Sequence, residues 1–282
     1  MTQGNTGPGV RRRLLAKALI QLREQAGKSF DDVVEALAFS KSKISRIEAG
    51  GTGVSIVDAR ALGQLYGADA DTLAWLERLA RIAKQRGRWH VFGDGLVDWF
   101  SDFVVLESEA SMINTFEIDL IPGLFQTEEY AAMVLRAYSP DVPDDVVQRK
   151  VALRQTRQNR VTDGSLSVWA IVDEAALRRT TGDPAVDRRQ LERLLAMSLL
   201  TNVVLQILPF GKGLHMAMGT AFSLLRFHGY PSIVYVDNLT GGVYLDEEAD
   251  LERYSLVLDH LRAAALNVRE SAEFIKGVIA DL

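Results

Sequence analysis

A mainly α N-terminal bundle of five helices, followed by an α+β domain with a largely antiparallel sheet, is the fold class this 282-residue sequence predicts. Three observations carry the prediction. Residues 10 to about 84 hold five short amphipathic segments, separated by glycines or by residues that cap helices. Beyond residue 100, helical periodicity is interleaved with six β-rich runs. The sign of the charge also changes along the chain. Residues 1–90 carry 15 Lys and Arg against 9 Asp and Glu, a balance of +6, whereas the remainder carries 17 against 28, a balance of −11. That asymmetry fits a basic module facing a polyanion fused to an acidic one, although a solvated basic face gives the same count.

The first segment, residues 10–26, sets Leu14, Ala18, Leu19, Leu22 and Ala26 at steps of three and four, the mark of an amphipathic helix ended by Gly27. Ser29 followed by Asp32 has capping-box spacing and opens a second helix, Phe30 to about Leu37. Residues 38–40 form a turn. Ser40 caps a third helix, Lys41–Glu48, with Ile44 and Ile47 directed inward and Lys41, Ser42, Ser45 and Arg46 outward; Gly50 and Gly51 stop it. Ser55 and Asp58 repeat the capping-box spacing before a fourth helix to Tyr66. Asp69 or Asp71 caps a fifth, through Leu73, Leu76, Leu79 and Ile82.

Two helices joined by a three-residue turn, the second short and polar outside, describe a helix-turn-helix. The run SFDDVVEALAFSKSKISRIEAG resembles the helix-turn-helix of Xre-type regulators, in which Ser-x-Ser-Lys-Ile-Ser-x-Ile-Glu marks the recognition helix. The resemblance implies double-stranded DNA as partner, with Lys41, Ser42 and Arg46 at base edges and Ser29, Ser40, Lys43 and Ser45 at phosphates. Arg46 leads for specificity, because a guanidinium can bind a guanine edge through two hydrogen bonds. Glu48 is expected to bond within the domain. Two positions depart from the family pattern: Val34 stands where a small residue is usual, and Ala38 where a turn glycine is usual. Alanine in a left-handed turn costs on the order of 1 kcal/mol relative to glycine. The loop Gly50-Gly51-Thr52-Gly53 also lacks the basic residue often found there.

Around Lys84-Gln85-Arg86-Gly87-Arg88 the helical period gives way to charge and glycine, so the boundary falls near Arg86 and divides the chain into residues 1–86 and 87–282. Trp89, Phe92, Trp99 and Phe100 then read as packing aromatics, since Asp94, Asp98 and Asp102 would repel a nucleic-acid strand. Helices are expected over 127–137, 144–160, 185–200, 247–265 and 268–280. Strands are expected over 113–118, 166–172, 203–208, 221–227, 232–236 and 243–245. The later strands follow one another through short loops, which favours antiparallel pairing. LESEAS (106–111), IPGLFQTEEYA (121–131), RQTRQNR (154–160), VDEAALRR (172–179), QILPFGKGLH (206–215) and the region of Phe222, Val234-Tyr235 and Asp246 resemble the C-terminal domain that accompanies Xre-type helix-turn-helices in many actinomycete regulators, a domain of unknown function called antitoxin-like. The resemblance implies regulators of development and secondary metabolism, often encoded beside a small partner protein. It assigns no ligand and no catalytic residue.

Composition narrows the alternatives. There is no cysteine and only four histidines, so thiolate zinc sites and cysteine nucleophiles are excluded, and neither a metal nor a cofactor is expected. No apolar run nears the roughly 20 residues of a membrane span, and MTQGNTGPGVRRR has no apolar signal core, so a cytoplasmic location is expected. Glu107, Arg154, Asp173, Glu174 and His215 are the polar residues to inspect for chemistry, yet none has catalytic spacing, and Asp173-Glu174 reads as a helix cap. Gly211-Lys212-Gly213 is too short for a phosphate-binding loop, and neither Gly-x-Ser-x-Gly nor His-Glu-x-x-His occurs. No enzyme is expected. The reading is a homodimeric DNA-binding regulator; the alternatives are an antitoxin-like protein that binds a small partner, and a regulator gated by a small-molecule effector.

Overall fold

The computed structural model describes residues 8–84, 98–239 and 241–282. Five helices open the chain: α1 (Pro8–Gln25), α2 (Phe30–Leu37), α3 (Lys41–Glu48), α4 (Ile56–Leu65) and α5 (Ala70–Lys84). There follow α6 (Asp98–Glu109), β1 (Met112–Glu117), α7 (Glu128–Tyr138), α8 (Asp144–Thr162), β2 (Ser167–Asp173), α9 (Glu174–Arg178) and α10 (Pro184–Ser198). Then come β3 (Val203–Leu208), β4 (Phe222–Phe227), β5 (Tyr230–Asn238), β6 (Gly241–Leu245), α11 (Glu248–Ala264) and α12 (Val268–Ala280). The expected boundary near Arg86 lies outside the described residues, as do Trp89 and Phe92.

Local chemistry explains the helix ends. Ser29 and Asp32 form the full capping box, each side chain bonding the other's backbone N–H. Asp69 is the cap of α5, accepting from the Thr72 N–H at 2.8 Å. Asp183 accepts from Ala185 and Val186 ahead of Pro184, the first residue of α10. Ser55 accepts from the Asp58 N–H, but the Asp58 carboxylate does not return the bond; it takes Lys43 instead. A cation is the stronger partner, and the choice ties α4 to α3. Within the bundle α4 and α5 pack closely at Gly63, where a Cβ would lie 2.7 Å from Leu73 Cδ2 and 2.9 Å from Leu76 Cδ1.

The six strands form one mixed sheet in the order β3-β2-β1-β4-β5-β6. The chain crosses through helices between β1 and β2 and between β2 and β3, so these pairs are parallel; β1-β4, β4-β5 and β5-β6 are antiparallel. One face presents Ile113, Val168, Ala170, Val172, Leu205, Leu225, Ile233 and Tyr235 to a cluster that runs without a break into Leu14, Leu15, Leu19, Ile44, Leu62 and Leu76 of the N-terminal helices. The opposite face, with Phe116, Ile171, Leu208, Leu224 and Val234, is covered by Val257, Leu258 and Leu261 of α11. Helix α6 is not among the helices expected from the sequence, because aspartates interrupt the aromatic run that carries its period; its Phe103 and Leu106 are buried.

Candidate nucleic-acid interface

The hydrophobic period of α3 decides what it shows to solvent. Ile44 and Ile47 are buried, which turns Lys41, Ser42, Ser45 and Arg46 outward as one exposed strip. The turn before it contains Ala38 at φ 53° and ψ 29°, the one non-glycine residue with positive φ among those described. The missing turn glycine is therefore met by a strained alanine, with the helix-turn-helix geometry kept. Val34 is accommodated too, packing partly buried against the core.

Each residue singled out in the sequence has a definite place. Ser40 caps α3, its Oγ accepting from the Lys43 N–H at 3.2 Å and lying 3.1 Å from Ser42 Oγ. Lys41 Nζ is 2.6 Å from Asp31 Oδ1, a pair exposed on both sides. Lys43 Nζ is 3.0 Å from Asp58 Oδ1 and 3.5 Å above the Phe39 ring, so its charge is engaged within the bundle. Ser29 donates its hydroxyl to Asp32 at 2.8 Å, and these bonds hold the exposed Asp32 carboxyl below its usual range. Arg46 donates Nε to the Ser42 carbonyl at 3.2 Å. Among the described residues no carboxylate stands within ion-pair distance of Arg46, unlike its neighbours Lys41 and Lys43.

Glu48 bonds within the domain. It accepts from Arg23 Nε at 2.7 Å and Nη2 at 3.0 Å, while Arg23 Nη1 donates to the Lys28 carbonyl. Burial beside this pair pushes the Tyr66 phenol up to about 12. Nothing in the residue pattern of α1 signals that it turns its cations onto the sheet domain. Arg11 pairs with Asp102, both buried, and Arg13 and Lys17 converge on buried Asp246. Part of the basic balance of the N-terminal segment is thus neutralised inside the chain, by acids from 91 (Arg11 to Asp102) to 233 (Arg13 to Asp246) residues away.

The polar residues inspected for chemistry are held in structural pairs. Glu107 accepts from Arg157 at 2.6 and 2.7 Å, and Arg154 donates to the Gln126 side chain. Asp173 caps α9, accepting from Ala175 N–H at 2.9 Å. Glu174 bonds Arg178 at 2.5 Å and the Phe210 N–H at 2.9 Å. His215 Nδ1 accepts from the Ala217 N–H at 3.3 Å, with its ring edge-on to Phe116. Glu117, at the end of β1, carried no signal in the sequence; burial near Asp119 and Asp237 pushes it up to about 8. No helix among the described residues is long and apolar enough to cross a membrane.

These elements define a helix-turn-helix protein whose N-terminal bundle packs through α1 and α5 against an α+β domain. Residues 14–76 match the model of a helix-turn-helix domain. Residues 100–277, more than half of the chain, match the model described as Domain of unknown function (DUF5753), and the chain belongs to that family. Neither a curated protein nor a solved structure matches the chain.

Proposed function

We propose that the protein is a sequence-specific, Xre-type transcriptional regulator that acts by binding, without catalysis, as a homodimer on a palindromic operator. The observation that carries the reading is the outward strip Lys41, Ser42, Ser45 and Arg46 on a helix fixed by Ile44 and Ile47, with Arg46 free of any carboxylate among the described residues. A guanidinium with no internal counter-charge is available to a guanine edge. Lys41 and Ser42 complete the base-contact set, Lys41 exchanging Asp31 for DNA at small cost because exposed pairs are worth roughly 0–1 kcal/mol. Ser45 and Ser40 take phosphates directly. Ser29 and Lys43 do so only by giving up Asp32 and Asp58.

Fluorescence anisotropy on duplex DNA from the region upstream of its own gene, against random duplex and at several salt concentrations, tests this. The expected result is specific binding whose base preference disappears in Arg46→Ala at a cost of about 1–3 kcal/mol. Equal, weak binding of both duplexes by wild type and variant would reject the reading.

One observation favours a second reading, binding of a small partner protein. Between β3 and β4, Phe210, Leu214 and Met218 are 57%, 89% and 59% exposed, with Met216 beside them. Contiguous exposed apolar and methionine side chains mark interaction surfaces. Loss of complex with the neighbouring gene product in Leu214→Asp/Met218→Asp, read by size-exclusion chromatography, would support it. For a gating effector, the cavity among Ile121, Tyr130, Leu177, Leu191 and Val278 is about 140 Å³, below the roughly 300 Å³ of ordinary ligand sites, whereas the larger space of about 530 Å³ beside Gln155, Asn159, Thr162 and Arg193 is an open depression lined mainly by polar side chains.

A further inference from the structure

We propose that Asp246, a residue of the sheet domain, is a positioning residue for the recognition helix, so that the junction of β6 and α11 sets how α3 is presented to DNA. The inference rests on the DNA-binding reading and deepens it.

The geometry is a short relay of direct contacts. Asp246 follows the last residue of β6 and is 6% exposed. Its Oδ2 and Oδ1 accept from Arg13 Nε at 3.0 and 3.3 Å. Its backbone carbonyl accepts from Lys17 Nζ, which also lies 3.6 Å from the carboxylate and 3.7 Å from Glu247. Arg13 and Lys17 are one helical turn apart, so a single acid fixes the rotation of α1 about its axis. On its other side Arg13 meets the loop that leaves α3. A Cβ at Gly50 would come within 3.4 Å of Arg13 Cγ and 3.6 Å of its Cα. Gly50, at φ 67°, donates to the Ile47 carbonyl, and Gly51 donates to the carbonyl of Arg46.

Asp246 therefore touches the residue on which the end of the recognition helix rests. Asp246 is buried while Arg13 and Lys17 are 21% and 31% exposed, so the carboxylate is the partner that loses compensation when either cation moves away, and this holds α1 in one arrangement. Coupling between sites is carried through such packed and hydrogen-bonded neighbours. Any partner or ligand that shifts β6 against α11 moves Arg13, and with it the turn that carries Arg46.

The test uses the full chain and two readouts. Hydrogen exchange followed by mass spectrometry is compared in wild type, Asp246→Asn and Lys17→Met; the last removes one contact and serves where the first variant folds poorly. The expected result is exchange at residues 46–54 at least fivefold faster than in wild type, with β1 to β3 unchanged. Affinity for the upstream duplex should fall about tenfold, and binding to random duplex should stay within twofold. Unchanged exchange at 46–54, or faster exchange with unchanged affinity for the upstream duplex, overturns the proposal even where thermal stability falls. Wild type and Arg46→Ala run alongside. If these two do not differ on DNA, the DNA reading fails, and the exchange data alone decide whether Asp246 holds the helix.

Discussion

The guanidinium of Arg23 on α1 and the carboxylate of Glu48 on α3 meet through two hydrogen bonds of 2.7 and 3.0 Å, with side chains only 15% and 11% exposed. This fork fixes the last turn of the recognition helix against the first helix of the bundle. Glu48→Gln keeps the size and removes the charge, leaving the mostly buried guanidinium with only the exposed Glu24 carboxylate, 3.8 Å away, as counter-ion. We expect a loss of about 2–3 kcal/mol in urea unfolding. Arg23→Gln should cost a similar amount, and the double variant less than the sum. Additive losses would show that the fork is not a coupled pair.

The pair of Lys43 and Asp58 tests the phosphate contact proposed for the lysine. The ion pair at 3.0 Å holds the lysine within the bundle. Asp58→Asn releases the ammonium while the Ser55 cap keeps its bond from the backbone N–H. If Lys43 then reaches a phosphate, the slope of log affinity against log salt steepens by about 0.9. An unchanged slope would place Lys43 outside the interface.

Ala38 offers the simplest stability test. Its left-handed conformation, φ 53°, is one that glycine adopts freely, and the residue is exposed. Ala38→Gly should raise stability by about 0.5–1 kcal/mol, visible as a higher Tm. A lower Tm would mean that the alanine methyl makes a contact outweighing the strain.

The features that sequence made legible are those set by neighbours along the chain. The ends of α2 and α3, the Ser29–Asp32 box, the strain at Ala38, the caps Asp173 and Asp183, and all six strands follow from period, capping chemistry and turn residues. The unseen features join distant segments. The destination of Arg11, Arg13 and Lys17, the carboxylate that Lys43 takes, and the stacking of Trp75 on Tyr230 depend on which elements the tertiary fold brings together. Parallel pairing of β1, β2 and β3 likewise follows from crossover helices, not from any pattern within the strands. Glu117 belongs to the same class, a strand-end acid whose burial comes from other elements.

That acid gives a dependence on pH. Glu117 is raised from 4.5 to about 8, chiefly by burial, so the folded state holds a proton that the unfolded state has lost. Stability from this group is full below pH 4.5 and declines as pH rises towards 8. Glu117→Gln removes the decline. The variant should be more stable than wild type at pH 8 by on the order of 2 kcal/mol, below the full linkage value because water reaches part of the side chain, with little difference at pH 4.5. A gap that does not change between these pH values would remove Glu117 as the cause.

The same long-range packing predicts how the chain unfolds. Trp75 of α5 is buried and stacks on Tyr230 of β5, with ring centroids 3.6 Å apart and planes 9° from parallel. Phe227 lies against the same indole at 6.4 Å, and the apolar cluster around them passes from the N-terminal helices into the sheet. Helices that share a core with the sheet cannot lose their packing and leave it intact. Trp75→Ala removes a large buried side chain at that junction and should cost about 3–5 kcal/mol. The loss should appear as one shifted transition, with far-UV circular dichroism and the fluorescence of Trp169 on β2, isolated in a Trp89→Phe/Trp99→Phe background because the chain holds four tryptophans, moving together. A variant in which the helical signal melts early while Trp169 keeps the wild-type midpoint would show that the N-terminal bundle folds independently. It would also loosen the grip of Asp246 on α1, so this experiment bears on the positioning role as well.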